Sequence, residues 1–427
     1  MNGPIEGRVR LTRPYFRIAL VAIAAAALIG AGYFGPHPAP QPAPSASPTN
    51  LADGSALASS GSPGPTTDPL AGLTKVDLHP GQVEETPLPG QISSQSMAVV
   101  GTTLYFIVDG NRILSTAVGG NGSRRALAQV PACQGISQLA AAGHELAYVV
   151  TSPGGPTSEV AECSGAGLVS WSVWLLDLDG GIPVQVAQGV RPPSTMDVSE
   201  FPIHLALTES GYAFDRPPTS DGAGPGETIE VHALDGTLLW TSRTTESVAD
   251  VMLGGGTLAI LTNAIPLVAG ADNLYTSTAA HPDPAPVDQP ASSAYLSPDG
   301  LHLTWDVAYQ GPWPNPNPAV GVAIETVASG VENPVVTLTD LSEAAPLRPT
   351  VSSTAGRLLV TWFATGPDGA VYPALRYATG GDGAFLPSLQ EPIWMDVQGG
   401  KLFWVAESAD GWSKVAFAID LASLGLR

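Results

Sequence analysis

One pattern constrains this chain more than any other. An apolar strand, a tight turn carrying glycine, and a second apolar or aromatic strand recur seven times between Met97 and Val405. The first copy runs Met97-Ala-Val-Val-Gly101 into Leu104-Tyr-Phe-Ile-Val108, and the last runs Trp394-Met-Asp-Val397, through Gly400, into Leu402-Phe-Trp-Val405. The marker glycines are Gly101, Gly143, Gly211, Gly256, Gly300, Gly356 and Gly400, spaced by 42, 68, 45, 44, 56 and 44 residues. Gly (48) and Pro (41) recur along the 427 residues and only 13% of the chain is charged, a balance that argues against a long-helix or coiled-coil protein.

A period of roughly 40–50 residues is that of a four-stranded propeller blade. The two longer spacings hold insertions at Ser152 to Leu168 and Gln310 to Pro318. Third and fourth strands follow in most copies, joined by hairpin chemistry such as Asp235-Gly236 or Gly180-Gly181. The expectation is an all-β, seven-bladed β-propeller over residues 70–427, with six or eight blades as the alternatives. The last copy lacks an outer strand before the chain ends at Arg427. Leu73-Thr-Lys-Val-Asp-Leu78 is expected to supply that strand and close the ring, because an open sheet edge invites aggregation.

The N-terminal region reads as an address. Residues 1–17 carry Arg8, Arg10, Arg13 and Arg17 against one acid, Glu6, and residues 18–34 are uncharged. The expected arrangement is a cytoplasmic basic tail (1–17) and a transmembrane signal-anchor helix (18–34), with the rest of the chain extracytoplasmic. A cleaved signal peptide, cut near Gly30-Ala31-Gly32, is the competing reading. Residues 35–69 hold nine prolines and no aromatic residue, the composition of a disordered Pro/Ala/Ser linker.

Beyond residue 34 the chain has 13 basic and 37 acidic residues, about −24. That charge excludes nucleic acid as a partner and favours solubility. Two cysteines, Cys133 and Cys163, fall in connections expected on one face of the ring, and an oxidising compartment permits a disulfide between them. Its loop of about 30 residues implies roughly 3–4 kcal/mol of stabilisation on the chain-entropy estimate.

Two short stretches resemble known propeller repeats. Ser297-Pro-Asp-Gly300 followed by Leu301-His-Leu-Thr-Trp305 resembles the repeat of TolB-like, WD-repeat-like propellers. Ala233-Leu-Asp-Gly236-Thr-Leu-Leu-Trp240 is similar to the quinoprotein-type repeat, including that of the outer-membrane assembly lipoproteins. Both resemblances imply an exported propeller.

No catalytic signature accompanies the repeat. The chain lacks G-x-S-x-G, H-E-x-x-H, a phosphate-binding G-x-x-x-x-G-K and paired Cys-x-x-Cys, and its seven histidines are scattered singly. Asp177-Leu-Asp179-Gly180 offers too few oxygens for a calcium loop and reads as a hairpin turn. No catalytic residue, metal site or cofactor is therefore assigned. The remaining candidate is a loop face, where the long second-to-third strand connections gather. Trp313, Asn315 and Asn317 in one loop, with Arg216, Asp221 and Glu227 in another, are the expected binding residues. Trp171, Trp174, Trp240, Trp305, Trp362, Trp394 and Trp404 lie in or beside strands and are read as structural. The functional expectation is a membrane-anchored binding or scaffolding module for an envelope protein or extracellular ligand. The alternative is a glycan-active hydrolase or lyase using acids of the central funnel.

Overall fold

The computed structural model describes residues 70, 72–79, 81–89, 92–152, 169–191, 203–216, 226–262, 273–287, 291–308, 319–327, 336–342, 348–354, 356–366, 370–378, 383–387, 391–407 and 413–426. They belong to one unit, Pro63–Arg427. The expected tail, anchor and linker (1–17, 18–34 and 35–69) lie outside the described residues. No helix among the described residues is long and apolar enough to cross a membrane.

Among the described residues, twenty-nine strands account for nearly all regular structure. Two lead the series, β1 (Leu73–Lys75) and β2 (Val83–Leu88). The first sheet follows, with β3 (Ile92–Val100), β4 (Thr103–Val108), β5 (Arg112–Ala117) and β6 (Arg124–Gln129). The second holds β7 (Gly135–Ala142), β8 (Glu145–Ser152), β9 (Val169–Asp177) and β10 (Val184–Arg191). In the third are β11 (Leu205–Leu207), β12 (Gly211–Arg216), β13 (Thr228–Ala233) and β14 (Leu238–Arg243). The fourth comprises β15 (Val248–Gly254), β16 (Thr257–Thr262), β17 (Leu274–Thr278) and β18 (Ala285–Pro286). The fifth has β19 (Ala291–Leu296), β20 (His302–Ala308), β21 (Ala319–Thr326) and β22 (Val336–Ser342). The sixth contains β23 (Thr350–Thr354), β24 (Arg357–Thr365), β25 (Val371–Tyr377) and β26 (Gly383–Phe385), and the seventh β27 (Glu391–Gln398), β28 (Lys401–Glu407) and β29 (Lys414–Asp420).

Among the described residues the sheets comprise six of four strands and one of five, and every strand pair but β1 with β26 is antiparallel. The first strands touch in turn from β3 through β7, β11, β15, β19 and β23 to β27, and β27 returns to β3. That circular succession of meanders makes the domain an all-β propeller. Second strands are the most deeply buried, as in β4, β8, β16 and β28, because they are covered on both faces by neighbouring sheets. Trp305, Trp362 and Phe403 are sealed between sheets in this way.

The marker glycines serve two different needs. Six of them, including Gly101 (φ 62°) and Gly400 (φ 78°), take the left-handed backbone that a tight hairpin requires. Gly211 does not; a Cβ there would lie 2.3 Å from the His232 carbonyl oxygen, so close approach of β12 to β13 excludes a side chain.

The closing strand differs from the expected one. Leu73–Lys75 pairs in parallel with β26, adding a fifth strand to the sixth sheet. The outer strand of the seventh sheet is instead β2, paired antiparallel with β29 from Val83 opposite Ile419 to Leu88 opposite Lys414. Pro87 is tolerated because β2 is an edge strand, where a missing N–H costs no ladder bond.

Candidate functional site

The strands deliver three groups of polar side chains to the ends and centre of the wheel. The first is a set of staples between consecutive sheets. Glu227, directly before β13, is buried, and its Oε2 accepts the N–H of Val248, the first residue of β15, at 2.9 Å. Asn273, directly before β17, does the same one repeat later: its Oδ1 accepts the Ala291 N–H at 2.8 Å and its Nδ2 donates to the Ala291 carbonyl at 2.6 Å. His204, just before β11, is also buried, and its Nδ1 lies 3.2 Å from Asp215 Oδ2. Burial alone would lower the His204 pKa, but Asp215, Asp250 and Glu227 together hold it above the ordinary value. The imidazole therefore sits among three acidic side chains at the junction of the third and fourth sheets.

The second group occupies first strands. Asp250 on β15 and Asp396 on β27 are half-buried, and burial raises both carboxyls, Asp396 to about 7. Each accepts the next residue's N–H, Val251 at 2.8 Å and Val397 at 2.7 Å, which opposes but does not cancel that shift. Tyr295 on β19 is raised well above the usual phenol value by burial and then by the charge of Asp396, two sheets away. Acid and phenol therefore lie within electrostatic reach of each other, while Tyr295 packs against the core of Ile324, Val351 and Trp362.

The third group forms a groove at one end of the second sheet. Its volume is about 440 Å³, and its lining includes Gln134, Ser152, Ser170, Ser172, Gln185 and Gln188 around the Trp171 indole. Ser170 Oγ donates to the Ser152 carbonyl at 3.1 Å, and Trp174 Nε1 donates to Ser172 Oγ at 2.8 Å. Gly189 lies flat on Trp171, where an added Cβ would meet the ring at 2.3 Å. None of the described lining residues is ionisable.

Arg216 borders this groove. Its guanidinium lies 5.5 Å from the Trp171 ring centre, and Nη1 reaches the Gln188 carbonyl at 3.5 Å. On its other side Glu230 accepts from Arg216 Nε at 2.7 Å and Nη2 at 3.2 Å, and His232 Nε2 lies 3.1 Å from the same carboxylate. Burial would raise the Glu230 carboxyl, but the hydrogen bonds and charges of Arg216 and His232 hold it below its ordinary value. His232 in turn stacks with Tyr212 (5.2 Å) and Phe214 (5.5 Å). A fixed cation is thus presented at the groove by an aromatic and ionic scaffold.

Of the expected binding residues, the structure places Arg216 beside the groove and Glu227 in the buried staple. Trp313, Asn315, Asn317 and Asp221 lie outside the described residues, as does Cys163. Cys133, at φ 69°, directly precedes the groove residue Gln134, and no free cysteine occurs among the described residues. The second strand of the second sheet ends at Ser152, a groove residue, and the third begins at Val169. Sequence reasoning missed the groove itself, because its serines and glutamines are spread over three strands. Asp177 and Asp179 close their turn through Asp177 Oδ1 accepting the Asp179 N–H at 2.9 Å, and among the described residues no cluster of three metal-binding groups occurs.

No family model and no curated protein matches the chain. Several solved structures are similar to it. The β-propeller domain of the Trilobed protease from Pyrococcus furiosus shares 11% identity, with 78% of this chain and 95% of that chain covered at a TM-score of 0.47. BamB from Moraxella catarrhalis shares 11% over 76% of this chain and 85% of that chain at 0.40. An ancestral GH74 enzyme shares 12% over 78% of this chain and 47% of that chain at 0.42.

Proposed function

We propose that this chain is an extracytoplasmic binding or scaffolding module of the cell envelope, a seven-bladed propeller held to the membrane by residues 18–34 through the 35–69 linker. The circular contact of seven first strands supports the blade count, and the basic-then-apolar N-terminal sequence supports the anchor. A Cys133–Cys163 bond would fasten the long connection of the second sheet beside the groove. Trp313, Asn315, Asn317, Asp221 and Arg216 belong to the proposed contact face, while Glu227 holds that face together from beneath.

The observation that carries this reading is the groove itself. Neutral hydroxyl and amide groups around an indole, with one clamped arginine at the border, suit a polypeptide or other neutral polar ligand; no acid–base pair is present among the described lining residues to act on it. The expected occupant is a segment of an envelope protein. Capture from native envelope with the full-length chain tests this, comparing wild type with Ser170→Trp, which fills the groove from an exposed position. Loss of a specific partner at unchanged melting temperature supports the proposal, and equal recovery by both proteins contradicts it.

A second reading has one observation in its favour: Asp396, with its carboxyl near 7, is a protonatable acid on a first strand. Release of reducing ends from cell-wall glycan by wild type, abolished in Asp396→Asn, would replace the binding reading with hydrolysis.

A further inference from the structure

The innermost strands repeat more than their glycine turns. Counted outward from each inner hairpin turn, the fifth residue of the first strand is Gln138 in the second sheet, His204 in the third, Asp250 in the fourth, Ser293 in the fifth and Thr350 in the sixth. Three of these are clamped by the residue opposite them on the second strand. Thr350 Oγ1 lies 2.7 Å from Thr361 Oγ1, and Asp306 accepts both the Ser293 N–H at 2.6 Å and the Ser293 hydroxyl at 2.9 Å. Asp215 treats His204 in the same way, accepting its N–H through Oδ1 and facing its Nδ1 through Oδ2 at 3.2 Å. The hydroxyl of a serine or threonine does not titrate near neutrality, whereas an imidazole does.

His204 also stands where two sheets meet. Ala206, two residues further along, joins Ala213, Val248 and Val251 in the core between the third and fourth sheets, and strand alternation gives His204 the same face. At the same register position in the next sheet stands Asp250, whose Oδ1 accepts the Val251 N–H at 2.8 Å. Glu227 accepts the Val248 N–H at 2.9 Å and so ties the first residue of β15 to the third sheet. Asp215, Asp250 and Glu227 are the acids that act on His204. Other titratable groups on the surrounding strands are turned elsewhere. Glu246 accepts from Thr262 Oγ1 at 2.7 Å, and Arg216, Glu230 and His232 pair with one another on the opposite face of the third sheet. Among the described residues β7 and β16 carry no titratable side chain, while on β8 Tyr148 packs into the core toward the first sheet and Glu145 lies at the inner turn.

We propose that the junction of the third and fourth sheets is a pH-sensitive joint, held by the protonated imidazole of His204 among Asp215, Asp250 and Glu227 and loosened when that proton leaves. Burial disfavours the imidazolium, but the three acids together hold the His204 pKa above its ordinary value. Asp250 works in the same direction, because burial raises its carboxyl. A group that keeps its proton more tightly when folded stabilises the fold below its unfolded pKa, and that contribution is lost as pH rises through the folded value. For His204 the loss begins above 6.5, and for Asp250 above 3.8. The joint is therefore tight in mildly acidic surroundings and slackens as pH rises past neutrality.

Hydrogen exchange of the full-length protein from about pH 5.5 to about pH 8.5 tests the proposal, since local opening is read amide by amide. The β15 amides, Val248–Gly254, are compared with those of β19, Ala291–Leu296, whose clamp is a serine; both are corrected for the pH dependence of chemical exchange. Protection of β15 is expected to fall severalfold or more across the range, beyond any change in β19. His204→Gln, the residue type that the second sheet carries at this position, is expected to remove that excess fall. His281→Gln, at an exposed turn, serves as the control and is expected to keep it. The His204 imidazole of the unsubstituted protein, followed by NMR, is expected to titrate above 6.5, a reading that does not depend on the variant folding. Asp250→Asn is expected to move that midpoint downward, and an unmoved midpoint would contradict the coupling of the two sheets. Parallel changes in β15 and β19, an excess fall that survives in His204→Gln, or an imidazole that stays neutral throughout would overturn the joint.

Discussion

Two strands near the start of the domain, eight residues apart, do different work. β2 lies antiparallel along β29 over six residues, with Thr86 and Leu88 buried; β1 lies parallel against β26 over three, with Thr74 and Lys75 exposed. Around β2 the contacts converge. Thr86 Oγ1 accepts the Gly119 N–H of the first sheet at 2.9 Å, Lys401 Nζ meets Glu84 at 2.7 Å, and Leu88 joins the core of Phe403, Val405 and Ala416. Around β1 they are local: Leu73 packs over Gly383, the Val76 N–H donates to the Phe385 carbonyl at 3.1 Å, and Lys75 meets Asp77 in solvent. The difference teaches that joining the two ends of a wheel takes a strand bound on both sides, to its own sheet and to the next. A strand merely added to an outer edge extends a sheet without closing anything.

Substitutions can sharpen that contrast. Thr86→Val keeps shape but removes the acceptor that the buried Thr86 side chain offers to the exposed Gly119 N–H; it is expected to cost about 0.5–1.5 kcal/mol in denaturant unfolding. Loss of stability much smaller than this would mean that β2 is not anchored to the first sheet. Lys401→Ala removes a half-exposed pair and is expected to cost less than about 1 kcal/mol, while Lys75→Ala, whose partner is solvated, is expected to lie within about 0.5 kcal/mol of wild type. A larger effect at Lys75 than at Lys401 would reverse the roles assigned to the two strands.

Much of this architecture is legible from glycine spacing, because each blade needs a tight inner hairpin and that turn demands a left-handed residue at a recurring position. The closing strand is less legible. Leu73 to Leu78 shows apolar residues at Leu73, Val76 and Leu78, whereas Val83-Glu-Glu-Thr-Pro-Leu88 reads as polar, with a proline. An outer strand buries little on its solvent side and tolerates proline there, so its sequence signal is faint where its structural role is large. Glu227 illustrates the same limit. Its place at the end of a Gly/Pro-rich connection suggests a rim, yet the carboxylate turns inward to Val248. The signal that finds it is positional: Glu227 and Asn273 each stand immediately before a third strand, one repeat apart, and each clamps the first residue of the following sheet. The groove has no linear signature, since it is assembled from separate strands of the second sheet.

The proposed contact face presupposes a rigid wheel, and the wheel depends on how its ends meet. Hydrogen exchange of the β29 amides, Lys414–Asp420, addresses this most directly, measured in wild type and in chains where residues 83–88 or residues 73–75 are replaced by a Gly/Ser stretch of equal length. Protection of β29 is expected to collapse when 83–88 are replaced and to persist when 73–75 are. Retention of β29 protection without Val83–Leu88, or its loss without Leu73–Lys75, would contradict closure by β2.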